Sequence, residues 1–321
     1  MLRYIIRRLL LLIPTLLCVT ILIQLLIMIT PGDPVRIIMG TNFSQEEMDA
    51  KREELGLNNP FHIRYFTYMG NMILRGDFGS SYKTGTSALS EILLRFPYTL
   101  MLVAISMALA ILIGIPIGIY AATHQYSWKD NTSIVASLFC VSMPSFWFAL
   151  MLIQFLCVKL AILPVSGVDK WQGWVLPAFT LALGYAAAIA RQMRSSMLET
   201  IRQDFITTAR AKGQSELLIR YKHALKNAVI PVIMTIGSIF GMAIGGSMIT
   251  EIIFSLPGLG KYTLDSLSFR DYPVIQTTVL FMSAAFAIVL LISDILFAVV
   301  DPRIRAQYSR KKKKRERRVA T

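Results

Sequence analysis

The 321-residue sequence predicts an all-α integral membrane protein with six membrane-spanning helices. Composition is the first ground: 55% of residues are hydrophobic, 16% are charged and mean hydropathy is +0.56, proportions that fit a fold whose solvent is lipid. The second is six runs without Asp, Glu, Lys or Arg, at residues 9–32, 96–128, 131–158, 171–190, 227–250 and 272–293, each long enough to cross a bilayer as helix, which takes ~20 residues. The third is sidedness of charge. With the N-terminus inside, the segments assigned to the cytoplasm hold 22 Lys and Arg against 11 outside, and 6 Asp and Glu against 12.

These observations also exclude function classes. A net charge of +14 in a soluble chain would suggest nucleic acid, but here the basic residues gather on one predicted side of the membrane and at the C-terminus, so topology accounts for them and no nucleic-acid partner is expected. Cys18, Cys140 and Cys157 lie inside apolar runs with no CxxC spacing, which supports neither a disulfide framework nor a metal site. The three histidines, His62, His124 and His223, form no HExxH, and there is no nucleophile elbow and no pair of intramembrane carboxylates. A transport component fits better than an enzyme. An ion channel or proton-coupled carrier would place ionisable residues mid-membrane or repeat broken helices in two halves, and neither pattern is present.

In chain order, Arg3, Arg7 and Arg8 hold the N-terminus inside, and the apolar run after them exceeds a signal-peptide core and ends without a small-x-small site. Residues 1–30 are therefore expected to be a retained first span. TPGDP at 30–34 breaks it and opens the only soluble-looking insertion, residues 31–96, in which Ser44 and Glu47 form a capping box for a helix to about Leu55 that Gly56 stops. Tyr65, Phe66, Tyr68 and Met69 then precede turn chemistry in RGDFGSS at 75–81.

Residues 97–300 form the core with the remaining five spans. GIPIG at 114–118 in span two and MPS at 143–145 in span three predict kinks, which at Pro144 could turn freed carbonyls toward a cavity; Pro is also simply common in membrane helices. The polar segment 191–227 between spans four and five predicts helix, Gly turn, helix: residues 197–211 lack Pro and Gly, Gly213 makes the turn, and Ser215 caps a second helix to about Lys226. Leu198, Ile201, Phe205, Ile206 and Ala209 line one face of the first helix, a stripe that fits packing on protein or lying in the lipid headgroups. Span five carries Gly237, Gly241 and Gly245 at intervals of four, a smooth face for close packing within the subunit or along a path. GLGK at 258–261 is not a P-loop, because Ser255 stands where the first Gly is needed and Tyr262 where Ser or Thr is needed. Asp294 is the one residue charged at neutral pH inside a span, and residues 301–321 read as a basic cytoplasmic tail.

TTARAKG at 207–213 followed by HAL at 223–225 resembles the EAA loop of ABC-importer permeases in its peptide and nickel branch, where Thr207 replaces the wider pattern's Glu and Lys226 its Pro. LGL at 55–57, GDFG at 76–79, PGLG at 257–260 and DPRIR at 301–305 extend the resemblance over most of the chain. It implies a type I ABC importer permease fold with one extracytoplasmic insertion, in a bacterial or archaeal cell membrane with both termini cytoplasmic. By the same resemblance the central loop inserts a coupling helix into an ATPase subunit through Asp204, Ala209, Ala211, Gly213, Glu216, Leu217, Arg220 and His223, while Pro144, Gly241, Gly245, Glu251, Pro257 and Gly258 belong to the translocation path or its gate. The implied partners are a second permease, two cytoplasmic ATPase subunits, an extracytoplasmic binding protein that faces the 31–96 insertion, and the lipid bilayer. No cofactor is expected in this chain, since ATP and Mg belong to the ATPases. The implied substrate is a short peptide, with nickel or a metal chelate as the alternative.

Overall fold

The computed structural model describes residues 2–40 and 43–300, so DPRIR and the basic tail lie outside the described residues. Helices follow one another as α1 (Leu2–Ile29), α2 (Pro34–Met39), α3 (Gln45–Glu54), α4 (Phe61–Gly70), α5 (Ala88–Thr123), α6 (Trp128–Ser142), α7 (Ser145–Leu152), α8 (Gln172–Ile201), α9 (Asp204–Ala211), α10 (Glu216–Leu218), α11 (Leu225–Gly246), α12 (Met248–Ile253), α13 (Leu259–Phe269) and α14 (Tyr272–Val300). Helix α4 continues as a π-wound turn (Asn71–Arg75), α7 as another (Ile153–Lys159), and α10 joins α11 through a third (Ile219–Ala224). Among the described residues there is no strand, only an isolated bridge between Ser80 and Ser87.

Among the described residues five helices are long and apolar enough to cross a membrane: α1 from Arg8, α5, α8, the continuous helix Glu216–Gly246 and α14 to Leu296. The sixth is α6 with α7 and its π-wound extension, bent by 95°. The expected kink at Pro144 is thus a full break. Met143, held in an extended conformation by the proline after it, ends α6, and Pro144 begins the next helix. At GIPIG the expected kink does not interrupt the helix, since α5 runs through Pro116. Its glycines have another use: a Cβ on Gly114 or Gly118 would come within 2.6 Å of the carbonyl oxygen of Ala186 or Ala190. Helices α5 and α8 therefore meet backbone to backbone on a small-residue seam.

The chain divides into two compact units. One is built on residues 102–243 with 288–300, and its core gathers Met107, Ala110, Ala182, Ala186, Ile189, Met193, Met197, Ile206, Ile219 and Val232. In it the buried Asp130, near the start of α6, accepts Arg194 Nε at 2.6 Å and Nη2 at 2.7 Å, which ties α6 to α8. On span five Gly237 faces Ser293 so closely that a Cβ would overlap its hydroxyl, Gly241 is buried, and Gly245 is exposed with open space around it. The predicted glycine face is not one uniform seam.

The second unit comprises residues 7–101 and 244–287. Its small core joins Ile23 and Ile27 of α1 to Tyr272 and Ile275 of α14, and Gln276 donates to Gln24. The insertion is tied down at several points. The capping box of Ser44 and Glu47 is formed as predicted, Arg52 pairs with Asp33, and buried Asp271 accepts the Ser81 hydroxyl and the Tyr82 N–H. Burial pushes the Tyr82 phenol up to about 12.

Candidate functional site

The polar segment between α8 and α11 folds differently at its start from the single helix that residues 197–211 predict. Helix α8 runs on to Ile201, Gln203 turns extended, and α9 begins anew at Asp204, whose charge suits the first turn of a helix. The break lets the apolar stripe pack on the chain's own core: Ile206 and Ala209 are buried in the cluster with Met197, Ile219 and Ala224, and Leu198 and Ile201 pack beside them. Of the stripe only Phe205 stays exposed. Ala209 is accordingly part of this core rather than of the exposed surface.

At the end of α9 the turn is closed by two backbone bonds, from Gly213 N–H to the Arg210 carbonyl at 2.9 Å and from Gln214 N–H to the Ala209 carbonyl at 3.3 Å. This is the paired pattern of a helix that stops on a left-handed residue, and Gly213 has φ +74°. Ser215 caps the following helix by accepting the Leu218 N–H, as expected, and Arg210 Nε reaches Glu216 Oε1 at 2.8 Å across the turn. The result is a compact, polar-stapled knob. Its surface shows Asp204, Ala211, Gly213 and Glu216, together with Leu217, which is 67% exposed, Leu218 and Tyr221, while Arg220 and His223 are half-buried. Leu217, Arg220 and Tyr221 also line one side of a cleft of about 690 Å³ whose other wall includes Pro116, Tyr120 and His124. The sequence places Leu218 and Tyr221 in the second helix of the polar segment but does not single them out, because which of its apolar residues stay exposed depends on how that helix packs.

The other candidate group lies where α11 ends. Glu251 in α12 has no exposed surface. Its Oε1 accepts the Thr99 hydroxyl at 2.7 Å and the Ser247 hydroxyl at 2.9 Å, its Oε2 accepts the Lys261 N–H at 3.0 Å, and Thr99 in turn accepts the Leu259 N–H at 2.8 Å. Three bonds, from α5, from Ser247 just before α12 and from α13, meet on one carboxyl group, whose burial is compensated by them. Gly258 is small because Glu251 lies over it, and a Cβ there would overlap the carboxyl group; a Cβ on Gly260 would come within 2.6 Å of the Met248 Cα and 3.0 Å of Glu251 Oε2. Pro257 is exposed beside buried Leu256 and Leu259. The PGLG loop is therefore latched onto a buried carboxyl group. Glu251 is wholly enclosed, Pro144 sits at the α6–α7 break, and Gly241 and Gly245 belong to span five.

Comparison with known proteins agrees with this architecture along nearly the whole chain. Residues 1–103 match the N-terminal segment of binding-protein-dependent transport system membrane components, and residues 114–306 match the binding-protein-dependent transport system inner membrane component. The glutathione transport system permease proteins GsiC of Escherichia coli (strain K12) and Salmonella typhimurium (strain LT2) are each 41% identical over 305 residues, which covers 95% of this chain and 99% of theirs. Among solved structures, the MetNI methionine ABC transporter in inward-facing conformations matches with a TM-score of 0.56 at 19% identity, over 66% of this chain and 96% of that one, a likeness of fold. Six apolar spans, a helical polar loop between the fourth and fifth, and these matches over both halves lead to one conclusion: the chain belongs to the family of binding-protein-dependent transport system inner membrane components and is a permease subunit of an ABC importer, a transport component rather than a catalyst.

Proposed function

We propose that this permease carries short peptides delivered by an extracytoplasmic binding protein, and that the Gly213 knob transmits the state of an ATPase subunit to the spans. The peptide assignment rests on the GsiC relatives, whose named substrate, glutathione, is itself a tripeptide. Nickel chelates are the competing cargo. The coupling assignment rests on one observation, the exposed apolar group of Leu217, Leu218 and Tyr221 held on a rigid turn outside the apolar core. A patch of that kind on a polar loop calls for a protein partner. Glu216 and Arg220 would contribute charge at its edge, and Asp204, Ala211, Gly213 and His223 would flank it.

In this arrangement the partners are a second, similar permease, two ATPase subunits that hold ATP and Mg, and the binding protein. Both termini and the 191–227 loop face the cytoplasm, and the 31–96 insertion faces outside. Pro144, Gly241 and Gly245 would shape the path, with Glu251, Pro257 and Gly258 holding its outer loop. Transport then requires that ligand on one side of the membrane bias the ATPase on the other through the knob.

Two measurements test this. Mass spectrometry of the ligand on the co-purified binding protein should find a short peptide; a nickel chelate would overturn the substrate. For orientation, an impermeant thiol reagent added outside intact cells should label a cysteine at exposed Ser80 and spare one at exposed Thr207. Labelling in the opposite sense would overturn the topology.

A further inference from the structure

The insertion between α1 and α5 contains a helix with two apolar faces. Along α4 and the π-wound turn after it, Tyr65, Tyr68, Met69 and Met72 face inward, Met69 being buried. On the opposite side Ile63, Phe66, Ile73 and Leu74 recur at helical spacing, and the last three are 70%, 67% and 84% exposed. Exposed His62 and Thr67 border this stripe, Arg64 lies half-buried to one side of it, and Arg75 closes it. A helix in water carries polar residues on its outer face, so something apolar covers this one.

Depth identifies the cover. Helix α1 keeps exposed apolar residues, Leu22, Leu26, Met28 and Ile29, up to its last turn, so its lipid-facing wall ends near Ile29. Thr20 stands nine residues earlier, about 14 Å below that end at 1.5 Å per residue and close to the middle of a core ~30 Å thick. There its hydroxyl, buried, is hydrogen-bonded at 3.1 Å to the Tyr65 hydroxyl of α4. Two further markers bracket the helix. Leu57, before it, packs against the cluster of Ile23, Ile27, Tyr272 and Ile275, whose α1 members stand about half a turn and about one and a half turns below the end of α1. Phe78, after it, accepts through its carbonyl from Thr277 Oγ1 at 2.9 Å, and the Gln276–Gln24 bond sets Thr277 near the level of Ile23, about 9 Å below Ile29. The chain enters, crosses and leaves the stripe below the rim of the span.

We propose that α4 and the turn after it are immersed in the leaflet at the Ile29 end of α1, with Ile63, Phe66, Ile73 and Leu74 against lipid acyl chains. Part of the soluble-looking insertion is thereby a membrane anchor. Burying apolar side chains in the leaflet is the force that holds interfacial helices in membranes. The same anchoring keeps the RGDFGSS turn at the mouth of the spans. The proposal depends only on α1 being a span and stands whichever cargo is carried.

The test is depth in the purified transporter, reconstituted into nanodiscs of phosphatidylethanolamine and phosphatidylglycerol. Single cysteines at Ile63, Phe66, Ile73 and Leu74, with Cys18, Cys140 and Cys157 replaced by serine, carry a nitroxide. Collision with oxygen and with a neutral nickel chelate is read by electron paramagnetic resonance, with Leu26 as the lipid reference and Glu46 as the water reference. The four sites should follow Leu26, gaining oxygen contact and losing the chelate. Behaviour like Glu46 would place the stripe in water, and protection from both probes would mean that protein covers it; either result overturns the proposal. A second variant removes dependence on labelling: Phe66→Trp should add fluorescence that brominated lipid quenches relative to the parent protein, and added fluorescence without added quenching would also overturn it.

Discussion

At Gly213 the chain turns in the open, and at Gly258 it turns inside the protein. Both glycines border the helix Glu216–Gly246 with its short continuation α12, and each lies in a polar interruption between apolar spans. Gly213 has φ +74° and nothing within 4 Å of where a Cβ would stand, so it is glycine for backbone shape. Gly258 has an ordinary φ of −86°, but a Cβ there would occupy the Glu251 carboxyl group, so it is glycine for space. The difference separates two kinds of loop. One keeps its polar groups satisfied locally and leaves apolar side chains outward for a partner, whereas the other draws three hydrogen bonds onto a buried carboxyl group and leaves little to offer.

The largest effect should come from filling space. Gly258→Val should displace Glu251, strip several buried groups of their partners and remove most of the assembled transporter, read as the monodisperse peak in size-exclusion chromatography. A normal peak with normal uptake would mean that the latch is dispensable. Next is the open turn. Gly213→Val forces a β-branched residue into left-handed backbone at about 1–3 kcal/mol, enough to misplace the knob without unfolding the spans. The reconstituted complex should assemble but lose stimulation of ATPase by loaded binding protein, and Gly213→Asn, which tolerates positive φ, should recover much of it. Should Gly213→Val destroy assembly while Gly258→Val destroys only coupling, the contrast is reversed.

A smaller effect is expected from Glu251→Gln. The substitution keeps the shape, but the amide cannot accept on both sides at once, so at least one of the Thr99, Ser247 and Lys261 donors loses its acceptor at about 1–3 kcal/mol. A fall of several degrees in the thermal midpoint of the purified complex checks this, with Gly213→Asn as the unaffected control. The smallest belongs to the exposed staple. Arg210→Ala removes a pair whose side chains are 44% and 50% exposed, so stability should change by under about 1 kcal/mol and the change should shrink with added salt. A larger, salt-insensitive loss would show that the knob is organised by charge rather than by backbone.

Some of this was legible in advance. The turn at Gly213, its capping serine and the Ser44–Glu47 box follow from local rules, because their partners lie within a few residues. The split of residues 197–211 at Gln203 did not, because it depends on where Ile206 and Ala209 find a core, and that core includes Ile219 and Val232. Likewise Gly114 and Gly118 read in sequence as companions of a proline kink, whereas Ala186 and Ala190 lie against them, and the glycines of span five read as one seam, whereas Gly245 stands open.

The sequence by itself determined the solvent, the number of spans and the sites of the turns. Hydrophobic length, charge sidedness and Gly, Pro and Ser punctuation are local properties, and bilayer thickness converts the first of them directly into helices. Tertiary structure alone decided which polar residues are interior. Glu251 and Asp271 resemble surface carboxylates in sequence and become buried hubs because Thr99 and Ser81, some 150 and 190 residues away, bring donors to them. It also decided that α4 lies beside the first span, where Tyr65 and Thr20 share a hydrogen bond that no periodicity announces. Burying a polar group is tolerated only where partners converge, and convergence of distant segments is a property of the packed chain.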